Sequence, residues 1–289
     1  MNIIYQGKEY TIEELRREQK LFEKSLEVPE YLQMDQVYDF VCLNPGYKLA
    51  IDFLGDLYFQ ITSARFALIM GHKKLHDSNY VSWDSGALGQ IWLRSQYLRN
   101  AIVWYNSSYD LLWQAIWFGY SLFRKIGFGK PPQKIQDVNS TETFQKLLRS
   151  CTYDKLCFAL SAVEISEGSD KAKELLEAIK EFNDYKQQKK VREWANSLKH
   201  RGSFKVKELY HPRSGLTAGD FDSQYTKPLI VGIDEIPEIL KDYHIAFCKL
   251  IRFTFSFFDF ESMIPEKTEG AIYLDREAEE KDYKKIFIR

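Results

Sequence analysis

The sequence predicts a mainly α-helical protein, and three observations carry that prediction. Two apolar-periodic stretches, Tyr47 to about Leu75 and Leu88 to about Phe123, run far longer than strands do. Helix punctuation is present: Thr11 with Glu14 three positions on reads as a capping box, and Gly202 offers a stop after an amphipathic run. Aromatic residues make up 15% of the chain, a share that suits ring-filled interfaces between helices.

Taken in order, residues 2–10 alternate around Gly7 and predict a small hairpin, followed by a polar helix opening at Thr11. Asn44-Pro45-Gly46 marks a turn, after which Leu49, Phe53, Leu57, Ile61, Phe66 and Ile69 or Met70 recur at helical spacing. A polar loop, 77–86, separates that helix from the one beginning at Leu88. Gly127 to Val138, with the Pro131-Pro132 pair, breaks regular structure before helices near Ser140 and Tyr153. Gly168-Ser169-Asp170 then introduces a charged amphipathic segment whose apolar stripe is Leu175, Ile179, Phe182, Val191, Trp194 and Leu198. Residues 203–234 mix Gly, Pro, Ser, Thr and β-branched residues and predict a hairpin or an irregular, extended insertion. A final helix is expected from about Ile236 to Phe260, followed by a charged tail. No repeat of 20 to 50 residues is evident, which disfavours a solenoid.

Composition bounds the function. At 289 residues the chain can bury an ordinary core, and 45% hydrophobic with 28% charged residues describes a soluble protein. Forty basic and 41 acidic residues leave a formal charge of -1, so attraction to a polyanion has to be local. Cys42, Cys151, Cys157 and Cys248 form no CxxC pair and read as reduced, mostly buried thiols. No cationic leader with a long apolar core opens the chain, and no apolar run reaches about 20 residues, so a cytoplasmic protein without a membrane span is expected. Nucleophile elbows, GxxxxGK[ST] and GxGxxG are absent, which removes nucleotide hydrolysis by those routes.

The strongest local signal is Arg192 to Gly202. Arg192, Asn196 and His200 form an i, i+4, i+8 ladder on one side of a helix, with Lys199 and Arg201 beside it. Between Lys186 and Lys207 stand eight basic residues, Lys189 and Lys190 among them, against one acid, Glu193. An imidazole that titrates near neutrality can exchange a proton with a ribose hydroxyl or a leaving oxygen, while the cations hold phosphate charge. Trp194 or Tyr210 would be available for base stacking if exposed. The plain reading is a solvated helix face, with Asn196 and His200 bonded to the helix C-terminal end. Asn106 and Asp110 share one face of the aromatic helix by i, i+4 spacing. Together with Arg94 and Arg99 on the same helix, they either line a cleft or form a buried network that sets helix register.

This pattern resembles the HEPN (higher eukaryotes and prokaryotes nucleotide-binding) superfamily of helical domains, whose motif is an Arg, a polar residue such as Asn, and a His four to six residues on. Asn196 and His200 match the polar and His positions, whereas the family's Arg position is Ala195. Trp104 to Trp113 is similar to the aromatic and polar helix packed beside the motif helix in bacterial HEPN-like proteins. The resemblance covers Leu88 to Phe260. It implies a HEPN-like bundle over 88–260 that includes the 203–234 insertion, an N-terminal extension over 1–87, and a charged tail over 261–289.

It further implies RNA as a partner, homodimerisation that sets two motif helices face to face, and metal-independent endoribonuclease activity in a bacterial defence or toxin-type system. His200 would be the acid/base, Asn196 would position phosphate or imidazole, and Arg192, Lys199 and Arg201 would give electrostatic support. The missing Arg supports a noncatalytic module binding nucleotide, RNA or a protein partner instead. A third reading sets His72 and His76, four apart, on one metal ion with His211 or His244 approaching. Ordinary histidines near a helix end explain that pair more simply, so no metal and no cofactor are expected.

Overall fold

Chain-local chemistry accounts for most of the elements. The computed structural model describes residues 2–27, 45–76, 86–125, 140–201, 204–210 and 228–257. Strands β1 (Asn2–Tyr5) and β2 (Lys8–Thr11) pair antiparallel across a two-residue turn, in which Gln6 and Gly7 both take positive φ, 49° and 78°. That geometry matches the strands' twist, so the expected hairpin is present. Helix α1 (Ile12–Lys24) opens with the capping box: Glu14 N–H donates to Thr11 Oγ1, and Thr11 N–H donates to Glu14 Oε2 at 2.7 Å.

Helices α2 (Pro45–His72) and α3 (Gly86–Gly119) are the two long apolar segments, and a short 3₁₀ turn, Leu122–Lys125, follows α3. Helix α4 (Thr141–Ser150) is capped by Ser140 and α5 (Tyr153–Glu167) by Thr152; Gly168, at φ 62°, ends α5. Beyond it the expected single amphipathic helix is two: α6 (Asp170–Asp184) and α7 (Lys186–Asn196), separated at Tyr185. A π-helical turn, Ser197–Arg201, prolongs α7. Helix α8 (Glu235–Phe255) carries Pro237 in its first turn, where its missing N–H costs nothing.

Of the two expectations for 203–234, a hairpin or an extended insertion, the strands described after α7 do not pair as a hairpin. Strands β3 (Phe204–Val206) and β4 (Leu229–Val231) pair parallel, with Phe204 opposite Leu229. A tight hairpin joins only antiparallel strands, and the interval from 210 to 228 has the length that a parallel pair needs. The expected loops at 77–86 and 127–138, most of the insertion, and the tail from 261 fall outside the described residues, Gly86 excepted.

The protein is mainly helical, and its contacts group into two compact units that interleave along the chain. The first comprises the described parts of Met1–Val28, Gln60–Ser107 and Asp184–Ala246. Its core is Phe22, Leu26, Ile61, Leu68, Leu98, Ile102, Tyr105, Val191, Trp194, Ile236, Leu240 and Tyr243. The second comprises the described parts of Pro29–Phe59, Ser108–Asn183 and Phe247–Arg289. Ring stacks dominate it, as the aromatic content predicts: Tyr109, Phe182 and Phe247 meet at 5.1 to 6.0 Å, and Phe53, Phe118 and Phe144 at 5.6 to 6.5 Å. Among the described residues no helix is long and apolar enough to cross a membrane.

Candidate functional site

Helix α7 sorts its side chains by the helical period. Gln188, Val191, Trp194 and Ala195 are buried, and the Trp194 ring meets Phe204 of β3 edge-on at 5.9 Å. Lys186, Lys189, Arg192, Glu193 and Asn196 face outward. Lys199 in the π turn is exposed, as are Lys205 within β3 and Lys207 just after it. Lys189 pairs with Asp184 at 2.9 Å and Lys190 with Glu235 at 3.1 Å. Arg192, Lys199, Lys205 and Lys207 have no carboxylate partner among the described residues, and the outward cations of α7 outnumber its one outward acid, Glu193.

The π turn itself is informative. Such turns are rare, bond i to i+5, and concentrate at functional positions. The backbone of His200 and Arg201 lies in this turn, and their side chains fall outside the described residues. Asn196, the residue before the turn, is exposed and would be open to a ligand. Ala195, where the resembled family has its Arg, is fully buried. A long cation there would point into the core, so the cations this stretch turns outward are Arg192 and Lys199.

The remaining sequence candidates serve elsewhere. Arg94 is fully buried: its Nε donates to the Gly71 carbonyl at 2.9 Å, its Nη2 to Asp234 Oδ1 at 2.8 Å, and its Nη1 to the Tyr5 hydroxyl. That is the register-setting network, and Arg99 is exposed. Asn106 is half-buried in the first unit, while Asp110 is exposed and belongs to the second. There burial, and then the Asp110 charge, push the Cys151 thiol up to about 12, which removes it as a nucleophile at neutral pH.

The two histidines of α2's end do not share a helical face. Helix α2 stops at His72, whose ring stacks on Phe22 at 3.7 Å with Nδ1 2.9 Å from Gln19 Oε1. His76, beyond the helix, stacks on Tyr97 at 5.8 Å. His244 is buried between the Tyr105 hydroxyl, 2.9 Å from Nδ1, and the Glu27 carbonyl, 3.0 Å from Nε2. Among the described residues no group of three metal-binding side chains converges.

One charged cluster escapes a reading of α1 as merely polar. Arg16, Arg17, Lys20 and Lys24, with Leu21, line a surface hollow of about 250 Å³. The i, i+4, i+8 spacing of Arg16, Lys20 and Lys24 is the signal in the sequence that marks it. Compared with protein-family models, curated proteins and solved structures, the chain matches none.

Proposed function

We propose that this chain is a HEPN-like RNA-binding protein of a bacterial defence or toxin-type system, with the outward face of α7 and its π turn as the phosphate contact. The observation that supports this reading most is a set of exposed cations without carboxylate partners among the described residues: Arg192, Lys199 in the π-helical turn itself, and Lys205 and Lys207 after it. The reaction proposed for the turn is metal-independent strand cleavage. His200 takes the proton of a ribose 2'-hydroxyl, the oxygen attacks the adjacent phosphorus as the bond to the 5'-oxygen breaks, and the imidazolium returns the proton to that leaving oxygen. The products are a 2',3'-cyclic phosphate and a 5'-hydroxyl. Asn196 positions the phosphate or the imidazole, and Arg192 and Lys199 stabilise the developing charge. As in the resembled family, two copies of the motif helix face each other in a homodimer.

Buried Ala195 favours a second reading, in which the same face binds RNA or a protein partner without cutting. Incubation with single-stranded RNA in EDTA separates the two. Cleavage expected from the wild type is lost in His200→Ala, while RNA binding persists. No cleavage by either protein, or equal cleavage by both, rejects the catalytic role of His200. Salt-dependent binding without cleavage then selects the second reading in its RNA form.

A further inference from the structure

We infer that the outer face of α1 is a second contact for the sugar-phosphate backbone of a nucleic-acid strand. It shares the nucleic-acid reading given for α7 but none of its residues. Of the four acids on α1, Glu14 closes the capping box and Glu18 is taken by Lys74, while Glu13 and Glu23 are exposed and leave the four outward cations in excess. Arg16, Arg17, Lys20 and Lys24 are all exposed and make no ion pair among the described residues. They lie opposite the buried side of the helix, where Phe22 packs on His72 and under Lys241 of α8. Arg16 with Lys20 and Lys20 with Lys24 are like-charge i, i+4 pairs, which oppose the helix slightly until an anion covers them.

Spacing suits a polyanion. Arg16 to Lys24 spans about 12 Å of helix, so Arg16, Lys20 and Lys24 can meet successive phosphates of one strand in turn. A lipid surface fits less well. Leu21, 61% exposed, is the one large apolar side chain on this face, and Phe22 on the opposite side is buried, leaving a single leucine to insert into a bilayer. Helix α8 touches both cationic helices, α1 through Lys241 over Phe22 and α7 through Asp242 to Gln187 and Glu235 to Lys190. The acids Glu235, Glu238 and Asp242 make that part of α8 unsuitable for phosphate, so α1 and α7 are separate contacts whose contributions add.

The test is fluorescence anisotropy of a labelled oligouridylate with the full chain across a KCl titration. The triple variant Arg16→Gln, Lys20→Gln, Lys24→Gln is compared with Arg192→Gln, Lys199→Gln. Three lost phosphate contacts flatten the slope of log K against log salt by about 2 and weaken binding about 100-fold near 0.1 M salt. The exposed substitutions should leave the melting curve unchanged. Should the triple variant melt lower, the three single variants decide, each expected to lose about fivefold.

An unaltered slope in the α1 variants overturns the inference, whatever α7 does. A loss confined to the α7 variant leaves the proposed function standing and removes this site, and a loss confined to the α1 variant does the reverse. Capture by phosphatidylserine vesicles that depends on the α1 cations, with no salt-dependent RNA binding by the wild type, also overturns it.

Discussion

Arg94 shows how a single residue can read as functional and prove structural. A fully buried guanidinium is expensive unless every direction is met, and here three partners meet it: the Gly71 carbonyl, Asp234 and the Tyr5 hydroxyl. The Tyr5 hydroxyl in turn lies 3.2 Å from the Asp234 carboxylate, and burial pushes this phenol up to about 12 with Arg94 opposing. The pair is lopsided, because the Asp234 side chain is 42% exposed and Arg94 is not exposed at all. Removing the acid strands a buried charge, whereas removing the base leaves a carboxylate that water can reach. Asp234→Ala is therefore expected to cost about 3–5 kcal/mol. Arg94→Met, which keeps the volume, should cost about 1–2 kcal/mol for the lost bonds. Urea denaturation of both variants checks the order; the reverse order would mean that the guanidinium finds water the structure does not give it.

Among the elements, the approach of α2 to α3 rests on Gly71. A Cβ built there would lie 2.5 Å from Leu98 Cδ2 and Cγ and 3.3 Å from the Leu98 backbone nitrogen. Leu98 is fully buried, and one of the close atoms is its backbone nitrogen, which a change of rotamer does not move. In an open helix Gly→Ala would add about 1 kcal/mol; here overpacking of about 1–3 kcal/mol opposes that gain, so Gly71→Ala is expected to lower the melting temperature. In a double-mutant cycle with Leu98→Ala, the pair should destabilise less than the two single changes summed, and strict additivity would show that the contact is not tight.

The same elements show what the sequence makes legible. Thr11 and Glu14 write the start of α1 in two residues, and the length and period of α2 and α3 exclude strands. The break at Tyr185 is not written that way. Asn183-Asp184-Tyr185 has no Gly or Pro, and the apolar stripe from Phe182 to Val191 spans it. A π turn changes hydrogen-bond register without changing residue type, so Ser197–Arg201 reads as ordinary helix. His72 and His76 read as a chelating pair only while α2 is drawn through both, and it ends at the first. The parallel pairing of β3 with β4 depends on tertiary placement that no local pattern carries. The outward cations of α7 and the inward Ala195 follow from one helical period and were readable together; the side-chain setting of His200 was not.

For the whole chain, acid is expected to weaken the fold through two imidazoles. His72 and His76 are both buried, and desolvation lowers each from 6.5 to about 4. Around His72, Glu18 and Glu238 favour the proton while Arg94 and Lys74 oppose it; around His76, Lys73 and Arg94 oppose it and the backbone contacts favour it. Gln19 accepts from His72 Nδ1, so the neutral ring already has the tautomer its partner requires.

Both folded-state values lie below those of the unfolded chain, so the unfolded chain binds more protons between them. Stability is then full above about pH 6.5 and falls as pH drops toward 4, with these two rings contributing no further loss below that. Their joint contribution is of the order of a few kcal/mol. Urea midpoints measured from pH 7.5 to 4 should fall across this window, and the His72→Phe, His76→Phe variant should fall less, since phenyl rings keep both stacks without a proton to bind. If the wild type and this variant follow one curve, both rings take up protons in the folded chain as readily as in the unfolded one, and their burial exerts no hold on the fold.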